Sequence, residues 1–180
     1  MAYELDERSH LVGRRPTLGQ PFEVLYERHY GQVLAYAQRR VPASEAEDVA
    51  AETFLVLWRQ RDRVPDSTLP WLYGVARHVV ANRRRAARRR DALDSRVEVE
   101  ESTAPTYALD PADEVAERDG VLVALSRLRP ADAELLMLVA WEELDPSEAA
   151  ASLGCSRAAF AIRLHRARRH LVKELDRTGH

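Results

Sequence analysis

The sequence holds a single cysteine, Cys155. No internal disulfide can form, so nothing demands an oxidising compartment. Lysine is almost absent: of 27 basic residues only Lys173 is not arginine. Long apolar runs are missing too. The longest, LLMLVAW (Leu135–Trp141), falls far short of the roughly 20 residues that span a bilayer. The first residues, MAYELDERSH, are polar and partly acidic and lack the apolar core of a secretory signal. No stretch alternates apolar and polar residues as a half-buried strand does. A glycine-rich phosphate loop, a metal-ligand cluster and a nucleophile beside a base are all wanting, and the 6 histidines are scattered. Neither an enzyme nor a cofactor or metal is expected. Cys155 falls in a short turn and reads as a small packing residue. These absences leave a soluble, cytoplasmic, all-α protein of 180 residues, long enough for one large domain or two small ones.

What is present is charge in blocks. The net charge is only −2, yet NRRRAARRR (Asn82–Arg90) is almost all arginine and Arg157–Lys173 is basic without one acid. Between them, Asp91–Glu117 is acidic with Arg96 as its sole base. Two basic blocks separated by an acidic one predict two anion-facing surfaces joined by a segment of opposite character.

Helical periodicity divides the chain further. Residues 1–20 lack a clear period and read as a flexible tail. Phe22, Leu25, Tyr26, His29, Val33, Tyr36 and Ala37 form one stripe of a long helix. VPAS (Val41–Ser44) breaks it, and Ser44 with Glu47 predicts a capping box for a second helix running to about Gln60. A third is expected from about Leu69–Pro70 to Arg88. The first domain is thus expected over 21–90 and an acidic linker over 91–112. A chain of that length reaches about 65 Å when extended, so the two halves need not touch. A second helical domain is expected over 113–176.

Its most informative stretch is DPSEAAASLGCSRAAFAIRLHRARRHL (Asp145–Leu171). Asp145 suits an N-cap, Pro146 the first helical position and Glu148 the closing residue of a capping box. Gly154 suits a left-handed helix end, and Ser156 can cap the next helix. Two helices joined by a short glycine turn, the second basic, form a helix-turn-helix. On that second helix Phe160, Leu164, Ala167 and Leu171 share one face. Ala158, Ile162, His165, Arg166 and Arg169 lie opposite, where they can enter a DNA major groove.

Two stretches in the first half stand open to two readings each. In PWLYGVARHVVANRRRAARRR, Trp71, Leu72, Val75, Ala76 and Val79 can pack inward. The arginines then either bind single-stranded nucleic acid beside aromatics or form a solvated cationic helix end. In EDVAAETFLVLWRQ (Glu47–Gln60), Asp48, Glu52, Leu55 and Arg59 make a mixed acidic and apolar stripe. It is either a protein-docking face or one side of a helix sandwiched in the core.

The order of these pieces resembles the extracytoplasmic-function sigma factors, the small bacterial sigma factors that keep only regions 2 and 4. The resemblance rests on FEVLYERHYGQVLAYAQRR, EAEDVAAETFLVLWRQRDR, PWLYGVARHVVANRRR and RLHRARRHL, and covers about residues 22–90 and 115–175. It implies a protein that binds core RNA polymerase, through its beta and beta-prime subunits, and directs it to promoters. It implies docking on the polymerase by Asp48, Glu52, Phe54, Leu55, Trp58 and Arg59. It implies that Trp71, Arg77, His78, Asn82, Arg83 and Arg84 open and read the −10 element. Ser156, Arg157, Ile162, Arg163, His165, Arg166 and Arg169 would meet the −35 element, and the acidic linker would run through the polymerase. An anti-sigma factor is an expected further partner, and no membrane insertion is expected. The chain departs from the family pattern at Ala51, where glutamine is usual, and at His78, where asparagine is usual. Ala161 and Ile162 stand for the usual lysine and serine of the recognition helix. An apolar Ile162 can either meet a thymine methyl or touch a protein partner instead. The rival readings are a stand-alone helix-turn-helix regulator and a sigma-like regulator without promoter activity.

Overall fold

A computed structural model describes residues 20–94 and 115–178. The expected N-terminal tail and nearly all of the expected acidic linker lie outside the described residues. The described residues fold into seven α-helices and one short 3-10 turn: α1 (Phe22–Gln38), α2 (Ala43–Gln60), the turn Arg61–Arg63, α3 (Thr68–Asp94), α4 (Val115–Arg127), α5 (Pro130–Ala140), α6 (Pro146–Ser152) and α7 (Arg157–Thr178). No strand occurs among them.

The start of α2 differs from expectation. Pro42, not Ser44, precedes the first helical residue, and no side chain caps the helix. Proline holds φ at −53°, already the helical value. Its carbonyl accepts from the Glu45 N–H at 2.8 Å, so the first turn closes without a serine. The start of α3 tolerates Pro70 because first-turn N–H groups have no partner inside the helix. Beyond Arg88, alanine and arginine are strong helix formers with no breaker among them, and α3 runs on to Asp94.

In the second half the expected caps are all present. The Asp145 carboxylate accepts from the Ser147 and Glu148 N–H groups, while Glu148 reaches back to the Asp145 N–H. Gly154 sits at φ +63°. The Ser156 hydroxyl accepts from the Ala159 N–H at 3.2 Å.

Helices α1, α2 and α3 pack as one bundle, and α4, α5 and α6 gather on α7. The two groups are joined. Helix α3 lies along α6, and one continuous core takes Tyr36, Leu72, Tyr73 and Ala76 from the first half with Leu135, Leu138, Ala149 and Phe160 from the second. The expectation that the halves need not touch is therefore corrected. The physical reason lies in α3, which carries a second packing face. Tyr73 is buried, and at Gly74 an added Cβ would stand 2.9 Å from the Ser152 carbonyl oxygen. Only a residue without a side chain lets the two backbones approach so closely.

Candidate nucleic-acid and partner interfaces

The stripe on α2 reaches the surface. Asp48 and Arg59 are exposed and Glu52 is half-buried. Leu55 is 52% and Trp58 48% exposed, an unusual outlay of apolar surface on one helix. Phe54 does not join them. It is 2% exposed, wedged against Tyr26 at 4.8 Å between ring centroids and edge-on to Phe22. It supports the face from beneath and cannot itself meet a partner. Phe22 also meets Trp58 edge-on at 5.2 Å, and Arg61 lies over the indole at 4.9 Å. The tryptophan is thus held in place from both sides.

The carboxylates of this stripe are not free. Arg83 of α3 pairs with Glu52, and with Asp48 at 3.4 Å. That arginine was expected at the −10 element, and its partners at the polymerase. In this structure the three meet, and the pairing holds the Arg83 guanidinium more basic than usual through Glu52 and then Asp48, against the effect of its partial burial.

The rest of α3 divides by face. Arg84 donates to the Arg40 carbonyl oxygen at 2.6 Å, tying the helix to the end of α1. Arg85 is exposed and donates to Asn82. Trp71 is half-buried, packed against the main core. His78 points outward, 3.4 Å from the Arg77 guanidinium. Desolvation first, then Arg77 and Arg85, push its imidazole below the usual histidine range, which keeps it neutral near pH 7.

On α7 the expected faces are as read from the sequence. Phe160, Leu164 and Ala167 are buried, and Leu171 is half-buried. Ser156, Arg157, Ile162, Arg163, His165, Arg166 and Arg169 are all exposed, Ile162 at 55%. A rigid, capped helix presenting a basic stripe with one apolar side chain suits major-groove entry.

One constellation escaped the sequence reading. Arg40, at the end of α1 and 3% exposed, donates from Nε to Glu134 at 2.9 Å and from Nη1 to Glu142 at 2.8 Å. Arg39 also pairs with Glu142. The Tyr36 hydroxyl donates to Glu134 at 2.7 Å, and its ring lies 3.5 Å beneath the Arg40 guanidinium. Burial raises the Tyr36 hydroxyl well above the ordinary tyrosine value. Burial and the Glu142 carboxylate do the same to Tyr73. Beside this network runs a cleft of about 320 Å³ lined by Arg77, Arg84, Arg85 and Arg88 of α3 and by Arg163 of α7. The available signal was Arg40 itself, which continues the α1 stripe at i+4 from Tyr36. Among the described residues, no group of three His, Cys, Asp or Glu gathers to hold a metal, and no helix is long and apolar enough to cross a membrane.

Fold and surfaces together define a class: an all-helical protein with an exposed acidic and apolar stripe on α2, a basic α3 and a helix-turn-helix with a basic outward face. Comparison with known proteins specifies it. The family model for Sigma-70 region 2 matches residues 25–90, and that for Sigma-70 region 4 matches residues 118–171. The RNA polymerase sigma factor NccH of Alcaligenes xylosoxydans xylosoxydans is 31% identical, over 92% of this chain and 93% of its own. The ECF sigma factor SigL of Mycobacterium tuberculosis is 30% identical, over 86% and 89%. Among solved structures, CnrH in complex with the cytosolic domain of CnrY aligns with a TM-score of 0.57 at 27% identity, over 86% and 87%. The sigma factor RpoE of Bartonella quintana, in complex with the anti-sigma factor NepR, has the same fold, with a TM-score of 0.67 at 23% identity, over 86% and 96%. The chain belongs to the sigma-70 family, among the extracytoplasmic-function sigma factors. It binds core RNA polymerase and directs it to promoter DNA.

Proposed function

We propose the following division of labour for that activity. The first domain, 21–90, docks on the polymerase through Asp48, Glu52, Leu55, Trp58 and Arg59, with Phe54 as internal support. Its α3 engages the −10 element with Trp71, Arg77, His78, Asn82, Arg83 and Arg84. The second domain, 113–176, reads the −35 element with the outward face of α7 from Ser156 to Arg169. The observation that carries this is the sorting of α7. Every residue expected at the −35 element is exposed, and Phe160, Leu164 and Ala167 on the opposite face are buried. Proteins of this family are not enzymes in general; we take this chain to have no catalytic activity and to act in the cytoplasm, where its polymerase and promoters are.

An anti-sigma factor is the fitting regulator. CnrH was solved with the cytosolic domain of CnrY, and this chain exposes Leu55, Trp58, Ile162 and Val172, apolar surface that a protein partner would cover.

The test is run-off transcription by purified core polymerase on a promoter library, with and without the protein. Specific transcripts sharing two upstream elements are expected. Retained polymerase binding without any transcript would overturn the promoter-reading half of the proposal. Arg166→Ala should weaken use of the −35 element, and His78→Ala should change the preference at one −10 position. An unchanged preference would remove His78 from the reading.

A further inference from the structure

The cleft beside the Arg40 network is lined by cations far in excess of anions. Arg40, Arg77, Arg84, Arg85, Arg88 and Arg163 surround about 320 Å³, against the one carboxylate of Glu134. That carboxylate is already engaged, by Arg40 at 2.9 Å and by the Tyr36 hydroxyl at 2.7 Å. The ion pairs that join the helices are made by Arg39, Arg40 and Arg83, and the other five arginines of the cleft take no part in them. Their arrangement follows from the sequence. Arg84 and Arg88 stand at i+7 and i+11 from Arg77, one face of α3 over roughly 16 Å of helix, with Arg85 beside them. Arg163 of α7 lines the same space.

Two further observations point to an anionic occupant. Arg40 is 3% exposed, and its Nη2 is buried with no hydrogen-bond partner. The Nε of Arg77 is buried without one as well. A buried donor left unmade costs free energy that an acceptor reaching the inner wall would recover. The second observation is the start of α5. Pro130 and Ala131 line the cleft, and no side chain caps that helix, so the positive end of its dipole borders the same space. The remaining wall is apolar, formed by Val80, Ala81 and Leu153.

This chemistry selects the occupant. Guanidinium forks match phosphate oxygens two at a time, and their planes stack on aromatic rings. A row of them facing another across the cleft suits several linked phosphates better than one. The volume is that of a small-molecule site. We propose that the cleft binds a nucleoside triphosphate, its phosphates held by the arginine row of α3 and by Arg163, its base laid against Val80, Ala81 and Leu153. The ligand touches α3, α5 and α7 together, so it stabilises the packed chain by mass action. It also covers Arg77 and Arg84, and therefore competes with a −10 strand. That competition rests on the reading of α3 as a DNA-facing helix; the site itself does not.

The test is isothermal titration calorimetry of the full chain with ATP, and with AMP and inorganic tripolyphosphate for comparison. One ATP per chain is expected, with AMP and tripolyphosphate each about tenfold weaker for want of phosphates or of a base. Arg88→Ala on α3 and Arg163→Ala on α7 should each weaken ATP binding about tenfold. Arg89→Ala and Arg168→Ala remove the same charge from the same two helices outside the cleft and should leave the affinity unchanged. All four positions are exposed, and circular dichroism would verify that each variant keeps its helices. No heat with ATP would overturn the site. An equal loss in all four variants would also overturn it, leaving only the general attraction of an anion to a basic surface. AMP as tight as ATP would overturn the polyphosphate assignment, and tripolyphosphate as tight as ATP would overturn the role of the apolar wall. Finally, ATP should displace a −10 single strand from the protein. ATP that binds by calorimetry without displacing the strand would overturn the competition, and so separates failure of the promoter reading from failure of the site.

Discussion

At the scale of single residues, charge partners decide what each group can do. His78 is held below the usual histidine range, chiefly by desolvation and then by Arg77 and Arg85. The depressed value means that the unfolded chain binds the proton more readily. The stability His78 contributes is therefore full above the unfolded value of about 6.5 and is lost as pH falls toward the folded one. An NMR titration should find its midpoint below the ordinary histidine value. Arg77→Ala should move it only part of the way back, since burial is the larger cause. A midpoint at or above the ordinary value would refute the account. Arg83 poses a different question, because it neutralises the carboxylates expected at the polymerase. All three side chains are partly exposed, so the pairs are screened, and Arg83→Ala should cost less than about 1 kcal/mol of stability. Charge reversal at Asp48 and Glu52 should weaken polymerase binding severalfold. Because the reversed side chains would also repel Arg83, the loss has to be measured again in the Arg83→Ala background. Disappearance of the effect there would assign the loss to a disturbed α2–α3 contact rather than to docking.

At the scale of elements, the helix-turn-helix is the part most legible in the sequence. Its caps are local: Asp145, Glu148, Gly154 and Ser156 satisfy backbone groups within a few residues of themselves. Local chemistry can be read without knowing the fold. Asp145→Ala should therefore lower stability by about 1 kcal/mol, and Gly154→Ala by about 1–2 kcal/mol, since a Cβ is strained at positive φ. Chemical denaturation would measure both, and a neutral Gly154→Ala would mean that the turn relaxes to another conformation. Once the helix is placed, Arg166→Ala should weaken −35 binding by about 1–3 kcal/mol if the side chain reads a base, and relax selectivity at that position. Elsewhere the local signals competed. Ser44 with Glu47 matched a capping box, but Pro42 had already set the helix entry. The run Phe54–Trp58 is apolar throughout, so periodicity alone could not say that Phe54 faces inward while Leu55 and Trp58 face out. Packing against Phe22 and Tyr26 settles it.

At the scale of the whole molecule, the joining of the halves was hidden from the sequence for a physical reason. Arg40 and Glu142 are separated by 102 positions. Each sits at the end of its own helix, where a charged residue ordinarily faces water. The place of Arg40 at i+4 from Tyr36 puts it on the inward stripe of α1, but nothing local identifies the distant carboxylate that will pair with it. The consequence is cooperative. A core that takes Leu72, Tyr73 and Ala76 from one half and Leu135, Leu138 and Phe160 from the other should not melt in two steps. Calorimetry of the free protein should give one transition, with van't Hoff and calorimetric enthalpies in agreement. Removing one member of a buried ion pair leaves the other charge uncompensated, a loss of about 3–5 kcal/mol, and Arg40 and Glu142 are both almost wholly buried. Glu142→Arg should therefore uncouple the halves and resolve the unfolding into two transitions, each insensitive to mutations in the other half. A single unshifted transition in that variant would mean that apolar packing between α3 and α6 holds the halves together without the ion pairs, and the role of Arg40 would have to be found elsewhere.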